Sequence, residues 1–196
     1  MFVLWGASAI ILLILFLYDR WFEGIYEGRT YPNVFMNGLP FGGKTVPEIE
    51  SYWKSQSVPF QEKTYEFVFE DHIATISGTE LGVGYDAQLA ATQAYLVGRS
   101  RFFLSNLMTK YFFGPVNLPT QFRWDDEALM GILESFAYTV DIPVSDALFD
   151  FKNGRVTTFR PSRDGRKLDI QHSKQRFVSA LANVPLHPDV SVKILA

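Results

Sequence analysis

The chain has 196 residues, 47% of them hydrophobic and 16% aromatic, which excludes disorder for most of its length. Its formal net charge of −3 gives no general support for nucleic-acid binding. There is no cysteine, so disulfides, thiolate metal sites and a cysteine nucleophile are all excluded.

Residues 2–18, FVLWGASAIILLILFLY, form an uncharged apolar run. As a helix the run rises roughly 25 Å, a little short of a bilayer's hydrocarbon core, and Trp21 and Phe22 can extend it at the interface. A cleaved secretory signal would need a basic region before the run and small residues after it. No Lys or Arg precedes the run, and Asp19-Arg20-Trp21-Phe22-Glu23 follows it. The expectation is an uncleaved single-pass transmembrane helix over residues 1–19, with a buried core helix as one alternative. Arg20 beside Asp19 gives the positive-inside rule nothing to decide orientation with.

Residues 20–32 read as a juxtamembrane linker and 33–196 as one α+β domain. Residues 33–37 suggest a short strand closed by Gly38. Thr45-Val46-Pro47-Glu48 has capping-box spacing, and Val46, Ile49 and Trp53 give the helix that follows an apolar face. Residues 65–69 and 73–77 alternate around Glu70-Asp71-His72, which predicts a β-hairpin. Asp86 is placed to cap a helix carrying Ala90, Ala94 and Val97, and Leu104, Leu107, Met108 and Tyr111 continue with helical spacing to Gly114-Pro115. An extended stretch around Phe122 leads to Asp125 and a helix with Leu129, Ile132, Leu133 and Phe136 on one face. Asp125, Asp126 and Glu127 sit at its start, where the helix dipole favours carboxylates.

After Pro143, residues 147–151 and 155–159 flank Lys152-Asn153-Gly154 as a second hairpin. Asp169 then caps a helix with Ile170, Phe177, Val178 and Leu181, and residues 190–195 read as a last strand. An offset of 83 residues sets His72 on Arg155, Gly82 on Gly165, Tyr85 on Leu168 and Asp86 on Asp169. The pattern predicts two related hairpin-plus-helix units, about 62–98 and 145–182, sharing a core in an α+β fold.

Two zones are basic. Between Asp86 and Asp125 there is no acidic residue, while Arg99, Arg101, Lys110 and Arg123 are present. From Lys152 to Arg176 eight basic residues face only Asp164 and Asp169. Either zone could attract an anionic polymer or lipid headgroups, or be an ordinary solvated surface.

Tyr31-Pro32-Asn33-Val34, then Asn37-Gly38-Leu39 and Gly42-Gly43-Lys44-Thr45, resembles the opening of bacterial envelope proteins of the VanW/YoaR type. Glu80-Leu81-Gly82-Val83, Asp86, Ala94-Tyr95 and Val97-Gly98-Arg99 resemble the centre of their peptidoglycan-binding domain. Pro143, Asp146-Ala147, Asn153-Gly154, Pro161 and Gly165-Arg166-Lys167-Leu168-Asp169 resemble its second half. The order is kept from Tyr31 to Asp169. The resemblance implies a cell-membrane protein with its C-terminal domain extracytoplasmic and peptidoglycan as partner. The family often places such a domain ahead of an L,D-transpeptidase or VanW module, so the chain is expected to position itself or a following module, or to be the N-terminal part of such a protein.

Catalytic readings are weaker. The L,D-transpeptidase reaction needs a cysteine, which is absent, and no Gly-x-Ser-x-Gly elbow occurs. Asp169, His172 and Ser173 are close in sequence, but helix capping accounts for Asp169. Asp126 with Glu127 or Glu134 is the one tempting carboxylate cluster for glycoside chemistry, and its place at a helix start favours a structural role. His72, His172 and His187 lack zinc-ligand spacing, and neither a metal nor a cofactor is expected.

Non-catalytic binding fits better. Peptidoglycan offers sugar faces to aromatic rings and stem-peptide carboxylates to arginine. Arg99, Arg160, Arg163 and Arg166 are the candidate ligand-binding residues, against the alternative of solvated arginines packing their stems. Arg101-Phe102-Phe103-Leu104 and Lys110-Tyr111-Phe112-Phe113 suggest a further alternative, a basic aromatic helix that makes the domain a membrane-apposed adapter.

Overall fold

A computed structural model describes residues 2–112, 114–152 and 155–182. The expected strand at 190–195, His187 and the Asn153-Gly154 turn lie outside the described residues. In chain order the elements are α1 (Phe2–Ile25), β1 (Val34–Met36), β2 (Leu39–Pro40), α2 (Val46–Gln61), β3 (Thr64–Phe69), β4 (His72–Ser77), β5 (Gly84–Tyr85) and α3 (Ala87–Leu96). They continue with α4 (Phe103–Tyr111), β6 (Val116–Leu118), β7 (Phe122–Arg123), α5 (Asp126–Val140), β8 (Leu148–Lys152), β9 (Arg155–Arg160) and α6 (Ile170–Ala182). The mixture is α+β. Two compact units are interleaved in sequence: Met1–Ser55 with Tyr85–Gln121, and Gln56–Gly84 with the chain from Phe122 onward.

In the first unit, β1 pairs antiparallel with β2 and parallel with β6, with Val34 opposite Val116 and Met36 opposite Leu118. The core gathers Tyr31, Val34, Met36, Phe41, Ile49 and Trp53 against Ala87, Ala90, Ala91 and Ala94. Those alanines recur at i, i+3, i+4 and i+7, so α3 presents a face of small side chains to this core. The capping box at α2 forms in both directions. The Thr45 N–H donates to Glu48 Oε2 at 2.7 Å, and the Glu48 N–H donates to Thr45 Oγ1 at 3.4 Å.

The transmembrane expectation is corrected here. Helix α1 does not stop near Tyr18 but runs on through Asp19, Arg20 and Glu23 to Ile25. This charged end belongs to the folded unit. Lys110 pairs with Glu23 and, at 3.5 Å, with Asp19; Tyr111 donates to Asp19 at 3.0 Å; Phe22 meets the rings of Tyr26, Tyr31 and Tyr111. Among the described residues no helix is long and apolar enough to cross a membrane. The expected single-pass membrane localisation and the membrane contact through residues 2–18 fall with that finding.

In the second unit, β3 and β4 pair in one register from Thr64 opposite Ser77 to Phe69 opposite His72. Tyr65 and Phe67, two residues apart, point to the same face and are buried. Both meet Phe177 of α6, with ring centroids 5.8 and 6.0 Å apart, and Trp124 completes the cluster at 6.2 Å. Helix α5 adds Leu129, Leu133, Phe136, Ala137 and Val140, and α6 adds Leu181. Asp125 caps α5 by accepting from the N–H groups of Glu127 and Ala128.

Candidate functional site

The four candidate arginines fall into two separate settings. Arg99 lies in the first unit, one residue after Gly98, whose φ of 70° is left-handed and lets the chain turn off α3. A Cβ on Gly98 would meet the Tyr31 ring at 3.0 Å, so glycine also allows the close approach. The Arg99 guanidinium donates to the carbonyls of Tyr95 (2.6 Å), Tyr26 (3.0 Å) and Arg29 (2.8 Å). It also lies over the rings of Tyr31 and Tyr95, 3.9 and 4.3 Å from their centroids. Arg99 thus ties the end of α1 to the end of α3, and its donors are engaged within the fold.

The surrounding charges are also paired. Burial pushes the Glu23 carboxyl up, but hydrogen bonds from Lys110 and Tyr31 outweigh it and hold the group below the usual carboxylate range. Burial and the bond it donates to Glu23 push the Tyr31 phenol well above its ordinary value. A hollow of about 480 Å³ beside Arg99 is lined by Asp19, Glu23, Glu27, Tyr95 and Lys110 among others. Its central charges answer one another.

Arg160, Arg163 and Arg166 share one strand of the second hairpin and its continuation. Leu148 lies opposite Arg160, Ser145 opposite Arg163 and Ile142 opposite Arg166, all in one antiparallel register that extends past the ends of β8 and β9. At each of the two outer bridges both residues exchange backbone hydrogen bonds, of 2.8–3.1 Å. In an unbroken ladder such doubly bonded pairs recur every two residues. Here they are three apart, and Pro143, without an N–H, lies in the gap.

The gap makes a hollow of about 510 Å³, lined by Asp141, Ile142, Pro143, Val144, Gly165, Arg166 and Lys167. Among the described residues the backbone N–H groups of Val144, Asp164 and Gly165 have no hydrogen-bond partner. Gly165 is required where it stands, since a Cβ would sit 2.8 Å from the Val144 nitrogen and 3.0 Å from the Ile142 carbonyl oxygen. At the floor, the Asp141 carboxylate accepts from the Leu168 N–H at 2.7 Å.

Arg166 is held from three sides. Its Nη1 pairs with Glu70 at 2.6 Å, its Nε donates to the Val140 carbonyl at 3.0 Å, and its guanidinium lies 4.9 Å from the Phe69 ring centroid. Arg160, Arg163 and Lys167 are exposed, and among the described residues none makes an ion pair or side-chain hydrogen bond. Lys167 and the apolar wall of Ile142 and Val144 escaped the sequence reading. The flanking Pro143 and Pro161 were the available signal that the ladder would be interrupted.

The residues with catalytic appeal take structural places. Lys174 pairs with Asp126 at 2.6 Å, and hydrogen bonds from Lys174 and then Trp124 hold that carboxyl below its ordinary value, the reverse of what a general acid needs. Asp169 accepts from the His172 N–H at 2.9 Å as a helix cap, and Ser173 is fully buried with its hydroxyl donating to the Asp169 carbonyl at 2.8 Å. The His172 Nε2 accepts from Arg176 Nε at 3.0 Å.

The sequence model of the family described as "Putative peptidoglycan binding domain" matches residues 74–185, more than half of the chain. The match runs from within β4 through α6 and contains all four candidate arginines. No curated protein and no solved structure matches the chain.

Proposed function

The chain belongs to this peptidoglycan-binding-domain family, and on that premise we propose that it binds cell-wall peptidoglycan as a non-catalytic module, through the base of the second hairpin. The family match over residues 74–185 carries the reading. The hairpin base supports the choice of surface, because Arg160, Arg163 and Lys167 stand exposed beside an interrupted ladder while Arg99 and Arg166 are engaged internally. Arginine and lysine held without internal partners can bind a ligand carboxylate with no ion pair to break first. The ordered strings from Tyr31 onward support the narrower reading of a VanW/YoaR-type envelope protein, in which the domain positions whatever accompanies it at the wall.

Sedimentation of the full chain with purified sacculi tests the proposal. The expected result is retention at low salt that weakens as salt rises, and loss of most retention in an Arg160→Ala, Arg163→Ala, Lys167→Ala variant with unchanged circular dichroism. Equal retention of the variant would move the site elsewhere. An absence of retention for the parent chain would refute peptidoglycan binding.

A further inference from the structure

We propose that the hollow at the interrupted ladder takes the peptide stem of peptidoglycan, by a carboxylate next to a small apolar side chain, and leaves the glycan strand outside. This rests on the peptidoglycan reading and names the part of the polymer that is recognised.

The lining decides between the two parts of the polymer. Sugar recognition relies on exposed aromatic rings, and none of the residues lining this hollow is aromatic. Its walls are instead aliphatic and charged: Ile142, Pro143 and Val144 on one strand, Arg166 and Lys167 on the other, and Asp141 engaged by the Leu168 N–H. Val144 is 73% exposed, an apolar surface with nothing covering it among the described residues. A methyl or similarly short side chain suits that wall, and a carboxylate suits the cations. Unpartnered N–H groups of Val144, Asp164 and Gly165 are further donors at the same break.

Charge points the same way. Residues 141–148 and 159–167 carry Arg160, Arg163, Arg166 and Lys167 against Asp141, Asp146 and Asp164, and while Arg166 is taken by Glu70, Arg160, Arg163 and Lys167 have no ion pair among the described residues. In the intact polymer the lactyl carboxyl of the glycan is amide-linked to the stem, so the free carboxylates lie on the peptide, and the strand's hydroxyl and acetamido groups gain nothing from these unpaired cations. The volume, about 510 Å³, is within the range that small-molecule pockets occupy, enough for the end of a short peptide. Gly165 keeps the two strands close enough to form the hollow, because any larger residue would push against the backbone of Ile142 and Val144.

Calorimetric titration of the full chain with three probes tests this: isolated stem peptide, the same peptide with its carboxylates amidated, and glycan strands whose lactyl carboxyls are amidated. The stem peptide is expected to bind, and amidation to weaken it about tenfold or more, the effect of losing a charge-assisted hydrogen bond. Lys167→Glu is expected to weaken the unmodified peptide by a similar factor while leaving the amidated one unchanged. If that variant does not fold, the comparison of peptide and amidated peptide on the parent chain decides. Binding of glycan strands with none of stem peptide, or equal binding of the free and amidated peptides, overturns this inference and leaves peptidoglycan binding standing. If neither probe binds and sacculi are not retained, the broader reading fails as well.

Discussion

The second unit holds two β-hairpins used in opposite ways. After β3–β4, Asp86 caps α3 by accepting from the Leu89 N–H; after β8–β9, Asp169 caps α6 by accepting from the His172 N–H, 83 residues further on. The first hairpin sinks Tyr65, Phe67 and Ile76 into a core. At the base of the second, Leu148 and Phe159 are 60% and 59% exposed, and the ladder breaks at Pro143. Exposed apolar groups at that base contribute little to stability, and the interrupted ladder leaves cations available to a partner. The first hairpin helps hold the unit together, and the base of the second displays a surface.

The sharpest way to break this contrast is to truncate matched apolar side chains. Phe67→Ala or Phe177→Ala should destabilise by about 3–5 kcal/mol in chemical denaturation, the range for large buried aromatics. Leu148→Ala should stay within about 0.5 kcal/mol. Comparable losses in both would erase the distinction between a core hairpin and a display hairpin.

Gly165→Ala should cost about 1–3 kcal/mol, since its Cβ would meet backbone atoms that cannot swing aside. Amide exchange should show the damage at Ile142, Ser145, Arg163 and Arg166. Next come the arginines. Arg166→Ala should destabilise by about 1–2 kcal/mol by leaving the Val140 carbonyl and Glu70 without their donor. Arg163→Ala should shift the melting midpoint negligibly yet reduce sacculus retention. If Arg163 proved the more important for stability, the separation of structural from displayed arginines would be wrong.

The smallest effect is a pH dependence carried by the first hairpin. Burial pushes the Tyr65 phenol up to about 12, from an ordinary value near 10. A group raised in the folded state contributes fully below its unfolded value, so stability should fall between about pH 10 and 12, as the unfolded chain ionises first. Tyr65→Phe should flatten that part of the stability profile.

What could be read from sequence was local. The Thr45–Glu48 capping box, the caps at Asp86, Asp125 and Asp169, and strand alternation around Glu70-Asp71 each depend on residues a few positions apart. The parallel pairing of β6 with β1 depends on Val116 reaching Val34, and three residues, VNL, carry too little pattern to announce it. The fate of Arg99 was hidden for the same reason, since its carbonyl partners at Tyr26 and Arg29 lie about 70 positions away. Residues 2–18 were apolar enough to suggest a bilayer span, but composition could not show that the same helix continues into Asp19 and Glu23 and docks through them on Lys110 and Tyr111. At the hairpin base, Arg160, Arg163 and Arg166 looked equivalent. Only the fold separates the one held by Glu70 and Val140 from the two left in solvent.

The most direct measurement is a titration of the isotope-labelled full chain with solubilised peptidoglycan fragments, followed by backbone amide shifts. Movement at Val144, Ser145, Arg163, Gly165 and Lys167, with residues 64–77 and Arg99 unmoved, is the predicted result. Shifts confined to β3–β4 or to the surroundings of Arg99, or no shifts at saturating fragment, would contradict the assignment of the second hairpin as the wall-binding surface.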